Sequence, residues 1–146
     1  MEKNRDISAS GQSSVYSLFH GQVRRNHDAI AIEYQKNTWS YGTLDEAVRQ
    51  LASVFTNLGI TRGDRIAIIS ENRPEYIVAE LACAMTGAII ACQNWRLSPD
   101  ELEHCITLVD PKLLIVSERF ANNLNELNLS NLEIINFDDG YTELLG

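Results

Sequence analysis

The clearest pattern of apolar and polar positions lies in residues 62–97. Residues 66–69 are four consecutive apolar side chains between turn-forming residues, which predicts a short strand buried on both faces. Apolar residues then recur at helical spacing after Asn72, the predicted N-cap, and Pro74, which suits a first helical turn. The predicted apolar stripe of this helix is Ile77, Val78, Leu81, Ala82 and Met85. Gly87 supplies the left-handed backbone that ends a helix, and residues 88–92 predict a second, fully apolar strand.

These elements form a strand–helix–strand unit. Such a crossover is right-handed in nearly all proteins and makes its two strands parallel. The loops that follow the two strands therefore open at the same edge of the sheet. Ligands of open α/β sheets bind at that edge.

The residues before this unit predict a helix and a hairpin. The helix begins at Ser13 or Ser14, because apolar residues recur at helical spacing from there. It is expected to pack on the core as a supporting element. Residues 30–34 alternate between apolar and other side chains, and residues 38–40 resume the pattern after a short polar turn, which predicts the hairpin.

A second helix is predicted by Thr43 and Glu46, which have the spacing of a capping box, and by the apolar stripe that follows. Gly59 marks its end. Residues 1–13 have no periodicity and are expected to form a flexible N-terminus. The α/β subdomain is then assigned to residues 14–146.

The residues after the unit extend the same alternation of helix and strand. Ser98 and Glu101 predict a capped helix. Residues 113–116 and 132–137 predict two further strands, with a weaker helix between them at residues 118–127. The order of elements predicts an α/β fold, with a mostly parallel sheet flanked by helices.

Composition narrows the class of protein. The chain has 146 residues, 45% of them apolar, which suffices for one domain with a core. Its net charge of −8 comes without a basic face, so nucleic acid is excluded as a partner. Six carboxylates against one arginine from residue 118 onward are interpreted as a solvated acidic surface. A polar start and the lack of a run of about 20 apolar residues predict a cytoplasmic protein without a transmembrane segment.

No motif for metal binding or nucleophilic catalysis is present. Cys83, Cys92 and Cys105 all lie in apolar segments, which predicts core thiols rather than disulfides or metal ligands. The sequence lacks GxGxxG, GxxxxGK[ST], HExxH and a glycine-flanked serine after a strand. The residues alone therefore predict neither a catalytic residue nor a metal ligand.

The predicted ligand edge carries two polar loops, residues 71–73 and residues 94–97. Arg96 lies beside Trp95, and a guanidinium in such a place can contact a phosphate or a flat ring. The alternative interpretation is that Asn94 closes a turn, Trp95 covers the sheet edge and Arg96 is only solvated. The residues by themselves leave both interpretations open.

Six short segments, in the right order and spacing, resemble motifs of the adenylate-forming, or AMP-binding, enzymes of the acyl-CoA synthetase type. WSYGTL at 39–44 resembles LTYxEL, LGITRGDRIAI at 58–68 resembles LGVxxGDRVAI, and NRPE at 72–75 resembles NSxE. MTGA at 85–88 resembles KAGA, NWRL at 94–97 resembles NxRL, and PDEL at 99–102 resembles PxEL. The chain is thus similar to the N-terminal subdomain of that fold.

The resemblance implies a parent enzyme that couples a carboxylic acid, fatty or aromatic, to ATP with Mg²⁺ and transfers the acyl group to coenzyme A. The family's phosphate loop, metal-binding glutamate and catalytic lysine all lie in segments beyond those matched here. The 146-residue chain is therefore expected to be a truncated fragment without catalytic residues, metal ligands or cofactors of its own. The resemblance implies one site residue, Arg96, at the coenzyme A nucleotide.

The alternative from another class is a stand-alone, non-catalytic binding or scaffolding domain. A piece of a larger sheet is expected to leave strand edges uncovered and to self-associate, with the rest of the parent chain as its natural partner. A natural stand-alone domain is expected to be a clean monomer or one defined oligomer.

Overall fold

A computed structural model describes residues 13–129 and 132–139 of the chain. The chain divides into two compact units, Met1–Glu46 and Ala47–Gly146. Apart from Ser13, the predicted flexible N-terminus lies outside the described residues, and the assignment of one subdomain to residues 14–146 stays a prediction.

The first unit contains the predicted first helix and hairpin. Helix α1, Val15–Asn26, begins where expected, because the Ser14 hydroxyl accepts a hydrogen bond from the backbone N–H of Ser17 at 3.0 Å. In its apolar stripe, Val15 and Leu18 are exposed, Phe19 is half-buried and Val23 is buried. Strands β1, Ile30–Tyr34, and β2, Asn37–Ser40, pair antiparallel, as predicted.

Helix α2, Tyr41–Asn57, begins two residues before the predicted cap. The Ser40 hydroxyl accepts a hydrogen bond from the backbone N–H of Thr43 at 3.1 Å, so Ser40 serves as the cap and the capping box predicted for Thr43 and Glu46 was wrong. The prediction that Gly59 marks the end of this helix is confirmed, since Gly59 has a φ of 75° and its N–H donates to the Thr56 carbonyl.

The second unit is built on a four-stranded parallel sheet in the order β4-β3-β5-β6. Its strands are β3, Arg65–Ile69; β4, Ile89–Cys92; β5, Leu113–Val116; and β6, Glu133–Asn136. Residues 66–69 and all of β5 are buried, which confirms the strand predicted to be covered on both faces. Strand β4 lies at an edge, and its residues are half-buried or exposed. The predicted α/β class with a mostly parallel sheet flanked by helices is confirmed.

Helix α3, Pro74–Thr86, differs from its prediction at both the cap and the stripe. Its N-cap is Arg73 rather than Asn72, because Pro74 occupies the first helical turn and holds the residue before it in an extended conformation. Ile77 and Met85 are exposed by 38% and 40%, so the buried face is shifted from the predicted one. Its buried residues are Pro74, Val78, Ala79, Leu81, Ala82 and Cys83.

Helix α4, Pro99–Val109, has the predicted capping box of Ser98 and Glu101. The helix predicted for residues 118–127 is instead a four-residue helix α5, Glu118–Ala121, followed by a 3₁₀ turn, Asn122–Glu126. The asparagines of this turn explain the change, since asparagine side chains compete with helical hydrogen bonds.

The cysteine prediction holds only in part, because Cys83 is buried, Cys105 is half-buried and Cys92 is exposed. Cys92 is the last residue of edge strand β4, which within residues 13–129 and 132–139 has a neighbouring strand on one side alone. Among the described residues, no helix has the length and apolar character required to cross a membrane.

Candidate functional site

The carboxyl ends of the four parallel strands lie at one edge of the sheet of the second unit, called here the carboxyl edge. Backbone hydrogen bonds carry the pairing beyond the strands: Gln93 donates to the Ile68 carbonyl, Ser117 to the Ile69 carbonyl and Phe137 to the Val116 carbonyl. Two groups of side chains are held there, one containing Arg73 and the other Trp95.

The first group, the Arg73 cluster, consists of Arg73, Glu75 and Asp138. The Arg73 Nε donates to Glu75 Oε2 at 2.7 Å, and its Nη1 donates to both Asp138 carboxylate oxygens at 2.8 and 2.9 Å. The Arg73 side chain is only 16% exposed. Asp138 also accepts the backbone N–H of Glu118 at 2.9 Å. The cluster therefore ties the loops after β3, β5 and β6 together.

Protonation of Asp138 would disrupt this cluster. Partial burial raises the pKa of Asp138, but the hydrogen bond from Glu118 and the bonds and charge of Arg73 outweigh that effect and hold the pKa below its ordinary value. Asp138 lies in the segment interpreted from sequence as a solvated acidic surface; it is exposed there, and it also pairs with Arg73.

Glu71 and Ser117 lie between the two groups. Ser117 is fully buried, and its hydroxyl donates to Glu71 Oε2 at 2.6 Å. Burial raises the pKa of Glu71, but hydrogen bonds from Ser117 and the backbone, with the charges of Arg73 and Arg119, bring it below the ordinary value. Glu71 is therefore held as a carboxylate at the centre of the carboxyl edge.

The second group, the Trp95 platform, consists of Trp95, Phe120, Arg96 and Arg119. The Trp95 and Phe120 rings stack with centroids 5.0 Å apart, and Trp95 packs against the core. The guanidinium carbon of Arg96 lies 4.0 Å from the Trp95 ring centroid, and that of Arg119 lies 5.3 Å from it. Both arginines are exposed, and neither forms an ion pair with a carboxylate of the described residues.

The loop geometry explains the position of Arg96. The Asn94 side-chain oxygen accepts the backbone N–H of Arg96 at 3.1 Å, and its carbonyl accepts the N–H of Leu97. Asn94 thus closes a turn, as one interpretation of the sequence held. Arg96 also lies over a flat ring, as the other held, but the ring belongs to the neighbouring Trp95.

The geometry described above is that of the loop edge of a parallel α/β sheet, and residues 19–141 match a known family, the AMP-binding enzymes. The chain belongs to that family. The resemblance drawn from the short sequence segments is therefore confirmed.

Curated relatives of this AMP-binding protein are ligases of coenzyme A. A 4-hydroxybutyrate–CoA ligase of Metallosphaera sedula is 32% identical over 100 residues, which cover 68% of this chain and 18% of that protein. A crotonobetaine/carnitine–CoA ligase of Salmonella paratyphi B is 33% identical over 98 residues, covering 67% of this chain and 19% of that protein. The chain spans about a fifth of the length of the curated relatives it matches.

Solved structures share the fold of this AMP-binding protein. A putative long-chain fatty-acid CoA ligase of Rhodopseudomonas palustris superposes with a TM-score of 0.84 at 22% identity, over 90% of this chain and 36% of that one. A benzoate CoA ligase of Burkholderia xenovorans gives 0.84 at 20% identity, over 91% and 28%. The N-terminal subdomain of Klebsiella oxytoca NpsA gives 0.75 at 20% identity, over 90% and 31%.

The structure brings together residues that sequence reasoning treated separately. Arg73, predicted at the ligand edge, is neutralised by Glu75 and Asp138. Ser117 and Arg119 were missed. A signal for them exists in the sequence, because Ser117-Glu118 follows β5 as Ser70-Glu71 follows β3.

Of the cofactors that the family implies, the described residues suit a phosphate-bearing nucleotide but not Mg²⁺. The Trp95 platform offers guanidinium donors, which suit a phosphate. In residues 13–129 and 132–139, no group of three histidines, cysteines or carboxylates lies together as metal ligands. Two carboxylates at the carboxyl edge are already engaged, Asp138 by Arg73 and Glu71 by Ser117. The described residues therefore do not fit a Mg²⁺ site, and no step through Mg²⁺ is derived from them.

Proposed function

We propose that this sequence is the N-terminal part of an acyl-CoA ligase. The enzyme activates a carboxylic acid with ATP and Mg²⁺ to an acyl-adenylate, releasing pyrophosphate, and then transfers the acyl group to the thiol of coenzyme A with loss of AMP. The observation that carries the proposal is the family match over residues 19–141, supported by curated relatives that are CoA ligases or synthases.

The acid is proposed to be fatty or aromatic. Among the curated relatives, one uses 4-hydroxybutyrate and another is a feruloyl-CoA synthase, so both aliphatic and aromatic acids occur among similar proteins. The full-length enzyme is tested with a panel of short-chain, long-chain and aromatic acids, by thioester formation with coenzyme A. If the full-length enzyme forms no coenzyme A thioester with any of these acids, the ligase proposal is overturned.

The 146-residue chain alone is proposed to be inactive. The described residues provide guanidinium groups at the carboxyl edge but no cluster that fits Mg²⁺, and neutralising the phosphates of ATP is what such a transfer needs. The test is ATP–pyrophosphate exchange by the purified chain with the same acids. Exchange by this chain, above that of a heat-denatured sample, would contradict the proposal.

Arg96 is proposed to contact the nucleotide of coenzyme A. It is exposed at the carboxyl edge, and stacking on Trp95 holds its guanidinium in place. In the full-length enzyme, Arg96→Ala is expected to raise the KM for coenzyme A about tenfold while the KM for ATP is unchanged. Arg62→Ala, which removes a charge from the turn before β3, is the matched control. An unchanged KM for coenzyme A would rule out this role.

A stand-alone binding domain remains the second candidate, and the edge strands bear on it. Ile89 of β4 and Ile134 of β6 are exposed by 52% and 42% on the two outer strands of the sheet. We propose that the remainder of a parent ligase covers these edges, and that the 146-residue chain self-associates without it. A concentration-independent monomer in sedimentation would favour the stand-alone domain.

A further inference from the structure

The two outer strands of the sheet differ in how their edges are protected. Strand β4 lies in residues 88–94, AIIACQN, a stretch with no charged residue and no proline. Its Ile89 side chain is 52% exposed. Proteins protect an exposed strand edge with charges, proline or a covering segment, because an unprotected edge pairs with another strand. Strand β4 has neither charge nor proline, and within residues 13–129 and 132–139 no strand pairs with its outer side.

Strand β6 has the protection that β4 lacks. It begins with Glu133, and Asp138 and Asp139 lie within three residues of its end. The Asn136 side-chain oxygen accepts the backbone N–H of Asp138 at 3.0 Å, which occupies a donor just beyond the strand. Two copies of this edge would bring like charges together, in a chain whose net charge is already −8. Pairing of two copies is therefore disfavoured at β6.

The backbone of β4 offers two residues for pairing with a further strand. The N–H groups of Ile89 and Gln93 both donate to carbonyls on the β3 side. Because the backbone groups of successive residues alternate between the two sides of a strand, Ile90 and Cys92 direct theirs outward. These two residues have their side chains on one face of the sheet, since Ile90 pairs with Ile66 of β3 and Cys92 lies two positions on.

The residues at both ends of this pair have their backbone groups engaged. The N–H of Ala88 donates to the Thr86 hydroxyl at 3.4 Å, and the carbonyl of Asn94 accepts the N–H of Leu97 at 3.2 Å. Pairing along the outer side of β4 is thus confined to the two outward residues between them, which flank Ala91 symmetrically.

We propose that two copies of the 146-residue chain pair antiparallel through their β4 edges, with Ala91 on the two-fold axis. Ile90 and Cys92 of one copy exchange backbone hydrogen bonds with Cys92 and Ile90 of the other, and the two four-stranded sheets become continuous. The small side chain of Ala91 suits the close approach at the axis. Such a contact is isologous and closed, so it gives a dimer and not a fibre.

The inference rests on the proposed self-association of the chain without the remainder of a parent ligase. It adds which edge pairs, with which partner and in which register. The ligase proposal is tested separately, by thioester formation in the full-length enzyme. Loss of the dimer would therefore leave the ligase proposal standing, and loss of ligase activity would leave the dimer standing.

Lysine substitutions at the two exposed edge isoleucines test which edge pairs. Ile89→Lys places a charge on β4, and Ile134→Lys, at a residue 42% exposed, places the same charge on β6 as the matched control. Association of the purified chain is measured by sedimentation over a range of concentrations, at physiological salt. We expect the wild-type chain and Ile134→Lys to form a dimer that dissociates on dilution. Ile89→Lys is expected to weaken the dimer about tenfold or more.

A cysteine on the two-fold axis tests the register. Residue 91 lies opposite its own copy in a pair without hydrogen bonds, whose Cα atoms are about 4.5 Å apart, within the range of a disulfide. The background is Cys92→Ser with Cys105→Ser, and Cys83 is left in place because it is buried. With oxidised glutathione as the oxidant, Ala91→Cys is expected to give a disulfide-linked dimer in this background. Ile134→Cys is expected to stay unlinked.

Three outcomes overturn the inference. If the wild-type chain is a monomer at every concentration, the β4 edges do not pair. If Ile134→Lys dissociates the dimer and Ile89→Lys does not, the contact lies at β6. If the dimer forms but Ala91→Cys does not link its two copies, Ala91 is not on the axis and the proposed pairing is wrong.

Discussion

The Arg73 cluster and the Trp95 platform use the same residue type at the same edge of the sheet in opposite ways. Arg73 is 16% exposed and bound to two carboxylates, one of them 65 positions away in the chain. Arg96 and Arg119 are exposed, stacked on an aromatic ring, and without an ion pair among the described residues. An arginine at a ligand edge is therefore not by itself a ligand residue.

The difference has a physical basis in the cost of removing charge from water. A guanidinium that is as buried as that of Arg73 needs carboxylates beside it to balance its charge. Removing those carboxylates would leave a buried positive charge without a counterion. Arg96 and Arg119 remain hydrated, and stacking on Trp95 restricts their motion at little desolvation cost. The first arrangement stabilises the fold, and the second keeps cations available for binding.

Among the variants of these two groups, Arg73→Ala is expected to lower the free energy of unfolding most. The substitution leaves Glu75 and Asp138 without their shared cation and disconnects the loops after β3 and β6, so the free energy of unfolding is expected to fall by about 2–3 kcal/mol. Urea unfolding at pH 7 measures the change. A loss below about 0.5 kcal/mol would place Arg73 with the ordinary surface residues and remove the contrast.

Ser117→Ala is expected to have the next largest effect. Ser117 is fully buried and donates to Glu71 Oε2, so its loss leaves a partly buried carboxylate without that donor, at a cost of about 1–2 kcal/mol. Urea unfolding of Ser117→Ala, Glu71→Gln and the double variant measures the coupling between the two side chains. Strictly additive losses would show that the hydrogen bond contributes nothing to stability.

Local patterns in the sequence were enough to predict most elements of the fold. The apolar run at residues 66–69 and the capping box of Ser98 and Glu101 involve neighbours in the chain, so their signals are visible in the order of residues. The predicted N-cap of α3, Asn72, lies one residue from the observed cap, and the predicted N-cap of α2, Thr43, lies three residues from the observed one. Several residues there can act as caps, and only the backbone decides which one does.

The candidate site could be predicted only where a local motif marks it. Arg96 lies in the segment NWRL, beside Trp95, and was found from the sequence. The Arg73–Asp138 pair joins residues 65 positions apart, and the Ser117–Glu71 bond joins residues 46 positions apart. Such pairs depend on strand order, which places β5 and β6 beyond β3, and no periodicity of the sequence reports that order.

The part of the pH dependence of stability that comes from Asp138 is expected to report the Arg73 cluster. The pKa of Asp138 is lower in the folded protein than its ordinary value, so the folded state binds fewer protons than the unfolded state in acid. The stability that the ionised Asp138 carboxylate contributes is fully present above about pH 4, the ordinary pKa of aspartate. It is lost as the pH falls through the pKa that Asp138 has in the folded protein.

The measurement is the difference in unfolding free energy between the wild-type chain and Asp138→Asn, from pH 7 to pH 3. The difference is expected to shrink with falling pH. In an Arg73→Ala background this decrease is expected to be smaller, and in an Arg96→Ala background it is expected to be as large as in the wild-type chain. Equal curves in the two backgrounds would mean that Arg73 does not set the protonation of Asp138.

The smallest effect on stability is expected at the platform itself. Arg96→Ala and Arg119→Ala remove exposed cations that form no ion pair with a described carboxylate. Cation–π contacts at exposed sites contribute about 0.5–1 kcal/mol, and part of that is offset by the side-chain freedom regained. Each change in unfolding free energy is therefore expected to stay within about 0.5 kcal/mol. Because Arg73→Ala is expected to act on stability, whereas Arg96→Ala is expected to act on the KM for coenzyme A, the two measurements together separate the two uses of arginine. A platform variant that costs as much stability as Arg73→Ala would show that Arg96 and Arg119 also serve the fold.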